Sequence, residues 1–196
     1  MKKIIGVYGL SGSGKSTFCK RLSELSCHLI DADRIAREIL ENNSPFLIKI
    51  KETFGEQVFS QEGVLDRKKL GSIVFSDKSE LYKLNGITWP EIDRIMKERA
   101  MEIKEGIVVI DCPLLTKVSA KDMCDELVYI KADENVLADR LVKREGIERE
   151  LALKRIKLQT EELGNCYTRI IENNSTVEDL IEKADSFYKE MKGCFI

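Results

Sequence analysis

The sequence is poor in residues and segments that divide a chain into parts. It has only three prolines, Pro45, Pro90 and Pro113, and it contains no internal repeat, no low-complexity segment and no proline-rich linker. The sequence therefore disfavours two independent folding units joined by a linker. Because 43% of the 196 residues are hydrophobic, the chain can bury a full core. We expect a single domain over residues 1–196, subdivided only by inserts.

Paired cysteines and histidine are also scarce. None of the six cysteines belongs to a CxxC pair and His28 is the only histidine, so neither a zinc site nor a disulfide framework is indicated. We predict free thiols in a reducing cytoplasm, with the cysteines in structural roles. His28 lies inside a predicted strand, and we interpret it as packed rather than catalytic. The cysteines are Cys19, Cys27, Cys112, Cys124, Cys166 and Cys194.

The chain has no excess of charge of one sign and no long apolar run. Its 32 basic and 34 acidic side chains give a net charge of -2, so no overall field draws the protein to a nucleic acid or a membrane surface. The first apolar run, Ile4 to Tyr8, is too short for a signal peptide or a membrane span. We predict a cytoplasmic protein with no nucleic-acid or membrane partner, and composition predicts no oligomeric state.

Short apolar runs alternate along the chain with longer helical patterns. Runs rich in β-branched residues predict strands at 3–8, 27–30, 106–110 and 126–130, and a weaker run predicts one at 169–171. Strands that alternate with helices form parallel sheets. The sequence therefore predicts an α/β fold.

Two long helical stretches, 35–105 and 135–162, exceed what a minimal α/β core needs. We interpret both as inserts that carry substrate contacts. The second stretch is rich in arginine among Glu and Lys residues, which is also typical of an ordinary solvated helix pair, and composition leaves both interpretations open. Its arginines include Arg140, Arg144, Arg149 and Arg155.

A phosphate-binding motif gives the strongest signal. Residues 9–17, GLSGSGKST, match GxxxxGK[ST] between a predicted strand and a helix predicted from Lys15 to about Leu25. Glycines let successive backbone N–H groups turn towards a phosphate, and the helix N-terminus adds its positive dipole end. A glycine turn with a chance Lys-Ser is the alternative, which the flanking elements disfavour.

The motif predicts a nucleoside triphosphate and Mg²⁺ as ligands, with Lys15 on the β- and γ-phosphates and the Ser16 hydroxyl on the metal. The loop alone does not distinguish kinases from GTPases or ATPases. The residues predicted to bind the nucleotide here are Gly12, Ser13, Gly14, Lys15, Ser16 and Thr17.

Carboxylates follow two of the predicted strands. Asp31 and Asp33 come at the end of the second strand, where ligands of open α/β sheets bind. A kinase that acts on an alcohol needs a carboxylate to orient the hydroxyl and accept its proton, and Asp33 is our candidate; an N-cap of a helix starting near Arg34 is an equal alternative. Asp111 ends the third strand, so we predict a Mg²⁺ ligand there rather than a turn residue before Pro113.

In order and spacing, the motifs resemble those of the dephospho-CoA kinase family across nearly the whole chain. GSGKST at 12–17 is followed by DADRIAR at 31–37, similar to the family's DADxIAR, in which the second aspartate is the proposed base. FG at 54–55 and GVLDR at 63–67 are similar to the family's CoA-binding insert, and DCPLL at 111–115 resembles its D-x-PLL segment. Further matches are Leu70, Val74, Phe75, Arg140, Arg144, Arg155, Gln159 and the pair Asn173-Asn174.

The resemblance implies a three-layer P-loop NTPase fold with a five-stranded parallel sheet, a helical CoA-binding region over about 42–105 and a helical lid over about 135–162. It implies phosphorylation of the ribose 3′-hydroxyl of dephospho-CoA by ATP with Mg²⁺. The implied catalytic residues are Lys15, Asp33 and Arg140. The resemblance also implies that Arg144 and Asn174 bind the nucleotide. The residues that it implies for binding of the acceptor are Asp33, Arg37, Asp66, Arg67 and Trp89.

The sequence also departs from the family pattern. Leu10-Ser11 replace a glycine and an isoleucine, Trp89 replaces a histidine before proline, Thr116-Lys117 replace Phe-Glu, and Ser175 replaces a common glycine. The Trp89 change removes a titratable donor and the Lys117 change inverts a charge, so the departures bear on acceptor specificity.

Two other functions and an inactive relative are the alternatives. Shikimate- or gluconate-kinase-like enzymes share an acidic residue after the second strand but lack the long insert with GVLDR at 63–67. A GTPase-like switch is disfavoured because the sequence has no NKxD tetrapeptide and no DxxG after the third strand. Intact Lys15, Ser16 and Asp33 argue against an inactive relative.

Overall fold

The computed structural model describes residues 1–41, 45–164 and 166–193, and of Phe75, Lys78 and Glu162 it describes the backbone alone. The predicted boundary at residue 42 and the predicted thiol of Cys194 lie outside these residues. The chain divides into two compact units. The first unit comprises Met1–Asp31 with Lys97–Ile196, and the second comprises Ala32–Met96.

The first unit is built on a five-stranded parallel sheet with the strand order β2-β3-β1-β4-β5. The strands are β1 (Lys2–Tyr8), β2 (His28–Asp31), β3 (Gly106–Asp111), β4 (Glu126–Lys131) and β5 (Arg169–Glu172). All five predicted strands are confirmed within one residue at either end, as is the α/β fold class. β-branched side chains fit a pleated surface that is covered on both faces, which is why these runs form strands.

Burial falls from the middle of the sheet to its edges. β1 lies between β3 and β4 and is buried from Ile4 onwards, whereas in the edge strand β2 the side chain of Ile30 alone is buried. The prediction that His28 is packed is wrong, because this first residue of β2 is exposed. An apolar neighbourhood in the sequence does not bury a residue at the open edge of a sheet.

Helices cover one face of this sheet. α1 (Lys15–Glu24) follows the motif at 9–17 as predicted, and α8 (Val177–Gly193) lies beside it. Phe18 of α1 and Phe187 of α8 contact each other with ring centroids 5.6 Å apart, within one buried cluster that includes β1 residues. The N-terminal strand and the C-terminal helix therefore belong to the same core.

Two further helices of the first unit form a pair of their own. They are α6 (Glu134–Glu145), which ends at Gly146 in the left-handed region, and α7 (Arg149–Glu162). Leu137 and Ile156 belong to the apolar cluster that joins them, and Leu10 from the loop after β1 lies in the same cluster. The α6–α7 pair covers most of the stretch predicted as a lid.

The second unit is helical. It contains α2 (Ala32–Glu38), α3 (Phe46–Phe54), α4 (Arg67–Ser76) and the larger part of α5 (Lys78–Glu102), whose last residues belong to the first unit. Between α3 and α4, Phe59 and Leu65 form an isolated antiparallel bridge. The buried residues of the second unit are Ala32, Ile35, Ile39, Phe46, Ile50, Phe54, Val58, Leu65, Leu70, Val74, Thr88, Ile92 and Met96. No helix of the described residues is both long enough and apolar enough to span a bilayer.

Gly6 in β1 faces the side of the sheet opposite α1, and it offers a test of this packing. A Cβ at Gly6 would lie 2.9 Å from both Cys124 Sγ and Leu127 Cδ2, and closer still to Leu115. A Cβ at Gly86, inside α5, meets nothing within 4 Å. We expect Gly6→Ala to lower the free energy of unfolding by about 1–3 kcal/mol through overpacking. We expect Gly86→Ala to raise it by about 0.5–1 kcal/mol through helix propensity.

Urea unfolding followed by circular dichroism measures both changes. Equal effects of the two substitutions would contradict the placement of Gly6 against Leu115, Cys124 and Leu127.

Candidate active site

The loop between β1 and α1 has the backbone of an anion-binding nest. Gly12 has a φ of 85° and Gly14 a φ of 93°, conformations that side chains rarely adopt, so these two glycines are required by geometry. Bonds from Ser13 N to Leu10 O and from Phe18 N to Gly14 O, both of 3.0 Å, close the turn and begin the helix. In such a turn consecutive N–H groups point into one concavity. The loop can therefore receive a phosphate at the N-terminus of α1.

Lys15, the first residue of α1, is buried and forms an ion pair with the carboxylate of Asp111. Asp111 is the last residue of β3 and only 5% exposed. The alternative interpretation of Asp111 as a turn residue is therefore wrong. A buried ammonium group needs a negative partner, and the strand order places this one beside β1, from which the loop emerges.

A second carboxylate and a thiol complete this cluster. Asp31, at the end of β2, is the register partner of Asp111, so the two like charges lie on neighbouring strands at one edge of the sheet. Cys19 lies one helical turn after Lys15, has no exposed surface, and donates its S–H to Asp111. Burial, and then the nearby Asp111, raise the pKa of the Cys19 thiol well above its usual range. The thiol therefore stays a proton donor.

Cys19 was missed as a member of the site, although its spacing from Lys15 could have indicated it. Asp31 was noted but given no role. Its position at the end of a buried strand was the available signal.

Three side chains hold the loop from outside the nest. Arg140 Nη1 of α6 donates to Gly12 O at 3.2 Å. Asn173 Nδ2 donates to Ser13 O at 2.7 Å. Gln159 of α7 accepts from Ser11 N at 3.0 Å and donates to Ser11 Oγ at 2.9 Å. The sequence signalled Arg140 and Gln159 through the lid pattern, but nothing in it indicated that they contact the loop.

The side chains of the two asparagines after β5 make different contacts. Asn174, predicted to bind the nucleotide, is exposed and its Oδ1 accepts from Asp133 N at 2.8 Å, just before α6 begins. Asn173 is buried against the loop. Burial lowers the pKa of the Arg140 guanidinium, which remains a cation at neutral pH.

The other arginines of the α6–α7 pair bind acidic partners on the surface. Arg144 and Arg155 both contact Glu145, the latter at 2.6 Å, and these contacts, chiefly the hydrogen bond from Arg144, lower the pKa of that carboxyl. Arg149 contacts Asp139. This is the pattern of a solvated helix pair, and among the four arginines Arg140 is the one with a described contact to the loop.

In the second unit, Asp33 lies in the first turn of α2 and is exposed. The N-cap interpretation is wrong, because α2 already begins at Ala32, directly after β2. A carboxylate in the first turn interacts favourably with the helix dipole without capping the helix. Asp33 is therefore an exposed side chain on a short helix that follows β2 directly in the sequence.

The other predicted acceptor residues of the second unit have identifiable structural contacts. Asp66 caps α4, accepting from Lys68 N at 3.0 Å and Lys69 N at 3.1 Å, and the bond from Lys69 N is the main reason its pKa is lowered. Arg67 Nη2 donates to the carbonyls of Arg37 at 3.0 Å and Leu40 at 3.3 Å.

These contacts tie the start of α4 to the end of α2. Arg37 itself is exposed near the end of α2. Trp89 is half-buried inside α5, immediately before Pro90.

The residues of the first unit fit a Mg²⁺ ion that arrives with a nucleotide. Ser16 exposes its hydroxyl in the first turn of α1, and Asp111 ends β3 beside Lys15. In the described part of the chain no three His, Cys, Asp or Glu side chains form a group that could hold a metal by themselves. Mg²⁺ bound to phosphates keeps waters and needs only one or two protein carboxylates, so this donor set suffices.

Comparison with known proteins agrees with the site. A family model described as dephospho-CoA kinase matches residues 3–179. A dephospho-CoA kinase from Fusobacterium nucleatum is 40% identical over 186 residues, covering 94% of this chain and 96% of that protein. The solved dephospho-CoA kinase from Campylobacter jejuni has a TM-score of 0.70 at 25% identity, covering 100% of both chains.

A shikimate kinase from Bacteroides thetaiotaomicron, with a TM-score of 0.55 at 18% identity over 97% of this chain and 98% of that chain, shares the fold alone. The family match over residues 3–179 and the 40% identity to the Fusobacterium nucleatum protein go beyond a shared fold and show membership of a family. The chain belongs to the dephospho-CoA kinase family.

Proposed function

We propose that this protein transfers the γ-phosphoryl group of ATP to the ribose 3′-hydroxyl of dephospho-CoA, which gives CoA and ADP as the last step of CoA biosynthesis. The observation that carries the proposal is the nest at 9–14 with Lys15 buried against Asp111 at the sheet edge. Membership of the family supports the acceptor. The cytoplasmic location remains a prediction.

Lys15 and Asp111 define the phosphate side of the proposed reaction. Backbone N–H groups of the nest and the ammonium group of Lys15 would bind the β- and γ-phosphates, together with the predicted contacts of Ser13 and Thr17. Ser16 and Asp111 would hold Mg²⁺, which when bound neutralises charge on the transferring group. Because Lys15 already pairs with Asp111, its ammonium group is compensated before nucleotide binds, and the same group can turn to a phosphate.

Asp33 is our candidate for the base that orients the acceptor hydroxyl and accepts its proton. Two facts support it: its match to the family's second aspartate, and its exposed position in the first turn of α2. A carboxylate exposed on a short helix can meet a substrate hydroxyl, whereas Asp111 is buried beside Lys15 on the phosphate side of the site. The two carboxylates thus take different roles because their surroundings differ.

The remaining assignments stay proposals that follow the resemblance. Arg140 would stabilise charge on the transferring phosphoryl group, for which it must first exchange its contact with the Gly12 carbonyl. The residues proposed to contact the nucleotide are Arg144 and Asn174, and those proposed to contact dephospho-CoA are Arg37, Asp66, Arg67 and Trp89.

A substrate panel tests the proposed function directly. ADP release would be measured with ATP and Mg²⁺ in the presence of dephospho-CoA, shikimate, gluconate, CMP or water alone, with Lys15→Ala as the blank. We expect saturable release with dephospho-CoA only, at roughly 1–100 per second, as is typical of kinases. Saturable release with shikimate or gluconate instead would overturn the acceptor and keep the kinase chemistry. If no ADP is released with any of the acceptors, the result would favour an inactive nucleotide-binding relative.

The role of Asp33 has its own test. Asp33→Asn keeps the shape of the side chain and removes the base, so we expect kcat to fall about 10²- to 10⁴-fold while KM for ATP stays unchanged. Steady-state kinetics with dephospho-CoA and ATP varied separately measures both constants. Glu38→Gln, on the same helix, is the control and should keep wild-type kinetics. An unchanged kcat in Asp33→Asn would remove Asp33 from the proposed role.

A further inference from the structure

A loop that turns its N–H groups inward must turn carbonyl groups outward. The nest at 9–14 therefore presents the Gly12 and Ser13 carbonyls on the side away from the predicted phosphate site, where they need partners of their own. If those partners were lost, the peptide units would be free to rotate. Rotation would take the N–H groups out of the nest, so the outer contacts bear on phosphate binding.

Asn173 is the partner of the Ser13 carbonyl. It is 4% exposed, and its Nδ2 donates to Ser13 O at 2.7 Å. Its own backbone N donates to Lys131 O at 2.7 Å, which continues the ladder between β4 and β5. The amide side chain is therefore mounted on the sheet and not on a mobile surface segment.

The orientation of the Asn173 amide is fixed by a second partner. Arg140 Nη2 donates to Asn173 Oδ1 at 3.4 Å and to Ser175 O at 3.0 Å, while Nη1 of the same guanidinium donates to Gly12 O. A cation at Oδ1 leaves Nδ2 as the group that faces Ser13 O. Arg140 and Asn173 together thus satisfy two successive carbonyls of the loop.

The lack of space around Gly14 also shows how closely the Asn173 amide approaches the loop. A Cβ built on Gly14 would overlap Asn173 Nδ2 and would come within 2.8 Å of Leu180 Cδ2. The absence of a side chain at Gly14 therefore serves two purposes, a positive φ and close approach of the Asn173 amide.

We infer that Asn173 is a positioning residue for nucleotide binding, which keeps the Ser13 peptide turned so that the loop presents its N–H groups to the phosphates. The inference rests on the proposed nucleotide site and adds to it a residue that acts through the backbone of the loop. Neighbouring Asn174 does not share this role, because its side chain serves the start of α6.

Two substitutions separate hydrogen bonding from shape. Asn173→Asp keeps the size of the side chain but loses the Nδ2 donor and sets a carboxylate oxygen against Ser13 O. Asn173→Ala removes the side chain. The control is Lys183→Met in α8: Lys183 also donates to a backbone carbonyl, that of Glu172 at 2.6 Å, but outside the loop.

Affinity for ADP, measured by titration calorimetry in the presence of Mg²⁺, is the main readout. Leaving a buried carbonyl without its partner should weaken ADP binding about 10- to 100-fold in both Asn173 variants. KM for dephospho-CoA should stay at the wild-type value, a split that general loss of structure would not produce. Lys183→Met should bind ADP as the wild type does.

The possible outcomes separate this inference from the proposed function. Wild-type protein that binds no ADP would overturn both the proposed function and the inference about Asn173. Wild-type protein that binds ADP, together with an Asn173→Asp variant that binds it equally well, would overturn the inference alone. If neither variant shows a cooperative thermal transition by circular dichroism, Asn173 is a residue of folding rather than of positioning, and the inference is equally overturned.

Discussion

A buried lysine must have a negative partner close by, and the pairing of Lys15 with Asp111 is the constraint on which the site depends. The pair joins the first residue of α1 to the last residue of β3, so it requires that β3 lie beside β1, from which the loop and α1 follow. Asp31 on the next strand adds a second negative charge at the same edge. The ammonium group of Lys15 therefore lies at the sheet edge where two neighbouring strands end in carboxylates, and it offsets part of their negative charge.

The loop itself depends on elements far along the chain. Its carbonyls are bound by residues 128 and 160 positions away, Arg140 on Gly12 and Asn173 on Ser13. The motif supplies the glycines that permit the nest, but the outward carbonyls are satisfied by α6 and by the turn after β5. A phosphate-binding loop is for this reason a property of the whole first unit, even though nine consecutive residues suffice to recognise it.

The contrast between local patterns and contacts from distant residues explains which features could be predicted from the sequence. β-branched apolar runs and the glycine pattern are local, and they predicted all five strands, α1 and the glycine turn between β1 and α1. Edge exposure and exact helix starts are set by neighbours that are distant in the sequence. His28 was placed inside because its strand is apolar, and Asp33 was considered an N-cap because the helix was expected two residues later. The choice of Asn174 over Asn173 failed to anticipate the contact with Ser13 for the same reason: two adjacent residues at the end of a strand point to different surroundings, and only the fold decides which one meets the loop.

The departures at Leu10 and Ser11 are explained by the same contacts. Leu10 is buried in the apolar cluster of the α6–α7 pair, where a glycine would leave space unfilled, and Ser11 supplies both groups that Gln159 of α7 binds. An isoleucine at position 11 would still offer its N–H but would leave Gln159 Nε2 without this hydroxyl. The two replacements together bind the loop to α6 and α7 by burial and by hydrogen bonds. Because Arg140 of α6 also holds the Gly12 carbonyl, α6 is coupled by a hydrogen bond to the backbone that we propose binds the phosphates.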